Sequence, residues 1–81
     1  MSEEMLKYEQ LVLEEDELVS KIHTCQTAIN AVMDAVLKEG KSLHMLMVED
    51  VITMVHGLEI DCQTNLLHLR LKKFLLAYEI R

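Results

Sequence analysis

The sequence contains no proline and no tryptophan, and it has only two glycines among its 81 residues. Proline and glycine are the residues that most often interrupt helices and build tight turns. Their scarcity excludes a fold made of many short strands joined by such turns. The residues that are plentiful, such as leucine, glutamate, lysine, methionine and alanine, favour helix. We therefore expect an all-α protein.

Long apolar runs and excess positive charge are also missing. The longest apolar runs are far shorter than the ~20 residues that span a bilayer, and the acidic first residues do not resemble a signal peptide. The net charge of −6 argues against general nucleic-acid binding, which needs a basic surface. Without a secretion signal, both cysteines are expected to be reduced thiols. These observations predict a cytoplasmic protein without a membrane segment.

A first helix is predicted from about residue 3 to residue 38. Ser2 is suited to cap it, with Glu3 and Glu4 in its first turn. Apolar side chains then recur at spacings of three and four, with Glu15 in one of the positions. The apolar members of this stripe are Leu11, Leu18, Ile22, Cys25, Ile29, Val32 and Val36. This spacing is typical of an amphipathic, coiled-coil-like helix.

The first helix is expected to end in a turn over residues 39–42. Gly40 suits the left-handed position that follows many helices, and Ser42 is suited to cap the next helix. A connection this short returns the second helix antiparallel to the first. Residues 1–81 are therefore expected to form a single domain, a helical hairpin that assembles into a helical bundle.

The second helix is predicted from about residue 43 to residue 80. Gly57 lies inside it, where it could mark a bend, a break or a close approach between helices. We expect the first half to be apolar on one side only. The predicted stripe consists of Met47, Val48, Val51, Met54, Val55, Leu58, Cys62, Leu66, Leu69, Leu76 and Ile80.

The second half of this helix has a further apolar face, roughly opposite the stripe. Its members are Leu67, Leu71, Phe74, Leu75 and Tyr78. A hairpin partner can cover one face of a helix but not two. These five residues are therefore the candidate partner-binding site.

Charge and cysteine positions give further expectations about the hairpin. Glu15 should face the seam near the C-terminal cations and fix the register. A hairpin centred near residue 41 would separate Cys25 from Cys62 by ~7.5 Å along its axis, which disfavours a disulfide. His23 points away from Cys25, and no recognised zinc-ligand spacing is present, so we expect no metal.

The sequence has no glycine-rich phosphate loop, no nucleophile elbow and no arrangement typical of a catalytic triad. We therefore expect no catalytic residues and no cofactor. The leading hypothesis is a small non-enzymatic protein–protein interaction module: an adaptor, a regulator or inhibitor, or a co-chaperone. It would self-associate or dock a partner helix. The alternative is a dimeric RNA-binding helical bundle that uses Arg70, Lys72, Lys73 and Arg81.

Overall fold

The computed structural model describes residues 2–80 and shows two long antiparallel helices. Helix α1 spans Glu3–Glu39, a 3-10 turn spans Gly40–Ser42, and helix α2 spans Met45–Ile80. No strand occurs within the described residues. The molecule is a rod of 59 × 16 × 13 Å, as expected when helices of about 55 Å lie side by side. The predicted all-α hairpin is confirmed.

The start of α1 and the position of the turn follow the prediction, whereas the backbone conformation of Gly40 does not. Ser2 Oγ accepts a hydrogen bond from the Met5 backbone N–H at 3.2 Å. Gly40, expected to be left-handed, has right-handed helical angles (φ −51°, ψ −36°). The chain instead continues into a 3-10 turn, in which the Leu43 N–H donates to the Gly40 carbonyl at 3.3 Å. The extended backbone at Leu43 (φ −98°, ψ 145°) lies between this turn and α2.

Ser42 does not cap α2, contrary to expectation. Its hydroxyl donates back to the Glu39 carbonyl at 2.9 Å and so closes the end of α1. The side chain that caps α2 is His44, whose Nδ1 accepts from the Met47 N–H at 3.2 Å. Unprotonated imidazole nitrogen is an acceptor, so it satisfies one of the free N–H groups in the first turn.

The helices meet along what we call the inner seam, formed by one unbroken three–four repeat from each helix. The α1 repeat consists of Tyr8, Leu11, Glu15, Leu18, Ile22, Cys25, Ile29, Val32 and Val36. The α2 repeat consists of Val48, Ile52, Val55, Glu59, Cys62, Leu66, Leu69, Lys73 and Leu76. All of these residues are at least partly buried.

The predicted stripe of α2 is wrong in its first half. Met47, Val51, Met54 and Leu58 are exposed, whereas Ile52 lies on the inner seam. The prediction used apolar residues only, so it left Glu59 out of the stripe. In the structure the three–four spacing includes Glu59. With Glu59 on the inner seam, Met47 and Met54 lie on the solvent-exposed side of α2. The first half of α2 therefore has apolar side chains both on the inner seam and on its exposed side.

Gly57 neither breaks α2 nor serves packing within the chain. The helix is continuous through it, and no atom outside the local backbone of α2 lies within 4 Å of the place where a Cβ would stand. The break and the close approach between the chain's own helices are thus both excluded. Glycine at an exposed helical position costs about 1 kcal/mol relative to alanine, so its presence on this side of α2 has no explanation inside the hairpin.

The two cysteines are closer together along the hairpin axis than expected. The pairs Gln26–Glu59 and Glu15–Arg70 are centred between Ser42 and Leu43, and the pair Glu15–Lys73 is centred at His44. Residues 60–63 of α2 therefore lie level with Cys25. Cys62 falls in this range, so its offset from Cys25 along the axis is at most ~3 Å rather than the expected ~7.5 Å. Both thiols are free.

Candidate interaction surface

A charged cluster at the open end of the hairpin ties the helices together. Glu15 accepts from Lys73 Nζ at 2.7 Å and from Arg70 Nε at 2.7 Å. The Glu15 and Lys73 side chains are only 14% and 15% exposed. The hydrogen bond from Lys73, followed by that from Arg70, holds the pKa of Glu15 below its ordinary value of 4.5. The prediction that Glu15 faces the C-terminal cations is confirmed.

A second polar position on the inner seam was missed. Glu59 is buried, and its Oε2 accepts from Gln26 Nε2 at 3.2 Å and from Gln63 Nε2 at 3.0 Å. Glu59 lies four residues after Val55 and three before Cys62, so the spacing alone could have identified it as a seam position. Within the described residues, every fully buried side-chain nitrogen or oxygen has a hydrogen-bond partner, so the seam accommodates this carboxylate.

The five predicted partner-binding residues lie on the side of α2 that α1 does not cover. Leu67 is 67% exposed, Leu71 57%, Phe74 64%, Leu75 55% and Tyr78 74%. The structure thus brings them together on one uncovered face. The Phe74 ring is next to the charged cluster, with Lys73 Nζ 5.5 Å from its centroid. This distance is within cation–π range.

The apolar face continues toward the turn, beyond the predicted residues. A second three–four repeat runs along the exposed side of α2, and we call it the outer repeat. Its apolar members are Leu46, Ile60, Leu67, Leu71, Phe74 and Tyr78. Its remaining members, Asp50, Thr53, Gly57 and Thr64, are polar or small. Exposed Met47, Met54 and Leu75 lie beside it.

The two helices differ in what they show to solvent. Among the described residues, thirteen large apolar side chains are exposed on α2 and six on α1. The exposed side of α1 is interrupted by residues such as Asp16, Asn30 and Asp34. The uncovered apolar surface therefore belongs mainly to α2.

The other candidate sites gain little from the structure. No group of three or more His, Cys, Asp and Glu side chains within residues 2–80 is placed to hold a metal ion. Arg70 and Lys73, two of the proposed RNA-binding residues, are engaged by Glu15, and Arg81 lies outside the described residues. The described depressions are open grooves along the helix pair. Within residues 2–80, neither α1 nor α2 contains an apolar stretch of the length that a bilayer span needs.

No protein-family model, no curated protein and no solved structure matches this chain. The feature of the described residues that bears on function is the exposed apolar face of α2.

Proposed function

We propose that the protein is a small non-enzymatic protein–protein interaction module that binds through the exposed face of α2. The observation that carries the proposal is the contiguous set of exposed apolar side chains between Leu67 and Tyr78. Full burial of one such side chain is worth roughly 1.5–3 kcal/mol. Large exposed apolar patches on small proteins commonly mark binding surfaces.

The occupant of this face is a helix. A three–four repeat presents a straight apolar ridge, which complements the same repeat on another helix. The outer repeat runs along α2 from Leu46 to Tyr78 and is apolar at every position from Leu67 onward, so a partner helix would find its main apolar contact in that half. An adaptor, a regulator or inhibitor, and a co-chaperone that shields an aggregation-prone helix would all use this contact.

The cytoplasm is the proposed location. Both cysteines lie on the inner seam as thiols, and the cytoplasm is the compartment that keeps thiols reduced. Fractionation of the native host would test this part of the proposal. Recovery of the protein outside the cytoplasmic fraction would contradict it.

Substitution Phe74→Asp tests the interaction function. The ring is exposed, so the hairpin should keep its helicity by circular dichroism while losing association measured by light scattering and by capture of a partner protein. Asp34→Ala, on the polar side of α1, is the control and should behave as wild type. Normal association by Phe74→Asp, or a wild type that binds neither itself nor any partner, would refute the proposal.

A further inference from the structure

We infer that the helix that covers the outer repeat is α2 of a second copy of this chain, packed antiparallel about a two-fold axis near Cys62. Because the inner seam and the outer repeat lie on opposite sides of α2, the dimer is a flat four-helix layer with the two α2 helices in the middle. This inference rests on the proposed interaction function and names its partner.

The solvent-accessible surface of the hairpin is larger than that of a compact monomer of the same mass. The chain exposes 6403 Å², whereas a compact monomer of 81 residues exposes ~5,000 Å². The difference, ~1,400 Å² per chain, exceeds the ~800 Å² per partner that a standard stable interface buries. The uncovered area is therefore sufficient for a stable dimer.

The outer repeat is complementary to itself in size. When two copies run antiparallel about Cys62, Gly57 faces Leu67 and Ile60 faces Thr64. The other facing pairs are Thr53 with Leu71, Asp50 with Phe74, and Leu46 with Tyr78. This register pairs every member of the repeat. In four of the five pairs, a large apolar side chain meets a smaller or polar residue, an alternation that lets facing layers interdigitate.

Gly57 acquires a role in this arrangement. It lies on the uncovered side of α2 in open space, so nothing within the hairpin requires the absence of a side chain. In the dimer it receives Leu67 of the second copy and permits the two α2 backbones to approach closely at the helix crossing.

Charge favours the antiparallel orientation over the parallel one. Away from the inner seam, the first half of α2 exposes Glu49, Asp50 and Asp61 and no lysine or arginine. The second half exposes Lys72 and Arg70, whose Nε is bonded to Glu15, against Glu79. Antiparallel packing lays the acidic half of each α2 along the basic half of the other, whereas parallel packing would lay like charges together.

One repulsive contact makes the inference specific to a second copy. Asp61 is exposed beside the outer repeat, one residue from the axis, so two Asp61 carboxylates approach each other there. Neutralising this residue removes a like-charge pair across the axis. A helix from a different protein need not carry a carboxylate at that point, so this repulsion is expected only in a homodimer.

Sedimentation equilibrium of the full chain and its variants provides the test. Wild type is expected to be a dimer. Leu67→Asp and Gly57→Leu should weaken dimerisation at least ~30-fold, the effect of losing an interface hot spot, while Asp61→Asn should tighten it several-fold. Leu13→Asp is the matched control, because Leu13 is an equally exposed leucine (69%) on α1; it should leave the dimer unchanged.

Cysteine cross-linking tests the orientation. Under mild oxidation, Asp61→Cys should form a disulfide-linked dimer, whereas Tyr78→Cys should not, since antiparallel packing places the two copies of residue 78 at opposite ends. Cross-linking through Tyr78→Cys alone would show parallel packing and overturn the inferred arrangement.

The outcomes separate this inference from the proposed function. A monomeric wild type that binds a different protein, with binding lost in Phe74→Asp, overturns the homodimer and leaves the interaction function standing. A monomer without any partner overturns both. A dimer disrupted by Leu13→Asp but not by Leu67→Asp would place the interface on α1 and refute the assignment to α2.

Discussion

Lys73 and Glu15 are 58 positions apart in the sequence, yet Lys73 Nζ lies 2.7 Å from Glu15 Oε1. Both side chains are largely withdrawn from solvent. A slip of α2 along α1 would separate them and leave two poorly solvated charges without partners. The contact therefore selects one register among those that the apolar repeats alone would allow.

The Glu15 contact should make the hairpin sensitive to acid. Its pKa is lowered in the folded state, first by the Lys73 hydrogen bond and then by Arg70. The stabilisation is therefore complete above 4.5, the ordinary pKa, and is lost as the pH falls through the lower folded value. Glu15→Gln should be less stable at ~pH 7 and lose less stability between ~pH 7 and ~pH 3, measured by urea unfolding. The exposed Glu9→Gln is the control. An unchanged acid dependence in Glu15→Gln would contradict this assignment.

Glu59→Leu should stabilise the hairpin. The buried carboxylate is held by amide groups of Gln26 and Gln63 rather than by a cation. Leucine at this seam position would bury apolar surface, while the two exposed glutamines turn to water. We expect a gain of about 1–2 kcal/mol in the free energy of unfolding, from urea titration. Glu9→Leu, at an exposed position of α1, is the control and should change the free energy of unfolding little. A loss of stability in Glu59→Leu would show that the amide contacts outweigh the apolar gain.

His44→Asp should also stabilise the hairpin. Aspartate is among the best N-cap residues, and its charge is favourable at the start of a helix. The expected gain is about 0.5–1 kcal/mol, whereas His44→Ala should lose about 1 kcal/mol. Thermal unfolding followed by circular dichroism measures both. Ser42→Asp is the comparison: it should not reproduce the gain, because Ser42 bonds to the end of α1.

Cys25 and Cys62 should react slowly with a thiol reagent under native conditions. Both lie on the inner seam and are partly buried, so modification requires local opening of the hairpin. The rate should rise to that of an unfolded peptide in denaturant. Thr24→Cys, at an exposed position of α1, supplies a fast-reacting reference. Native labelling of Cys25 and Cys62 as fast as this reference would show that the seam is misassigned.

The repeat in α1 was predictable because its polar member, Glu15, lies between the apolar members Leu11 and Leu18 of the same repeat. The same logic failed in α2, where exposed methionines and Leu58 offered an alternative stripe that avoided Glu59. Hydropathy alone ranks a methionine above a glutamate, but the helix orientation depends on the whole repeat and on cross-helix partners such as Gln26. Those partners are distant in sequence, and their positions follow only once the register is known.

The turn was less predictable than the helices. Gly40 and Ser42 match the usual residues for ending one helix and starting another, yet Ser42 bonds backward to Glu39 and His44 caps α2. Local preferences allow both arrangements, and the energy difference between alternative caps is about 1 kcal/mol. The five exposed residues of the candidate site were predictable, since their spacing sets them opposite the seam.

The turn also sets the rotational phase between the helices. Continuing the α1 repeat past Val36 without interruption leads to Leu43, Leu46 and onward along the outer repeat to Tyr78, not to Val48 and the inner seam. The two faces of α2 are offset by two residues, or ~200°. If residues 40–44 became helical, a single stripe would extend from Tyr8 to Tyr78, and Glu59 and Lys73 would lie on the opposite side of that helix. Residues 40–44 therefore determine which side of α2 faces α1 of the same chain.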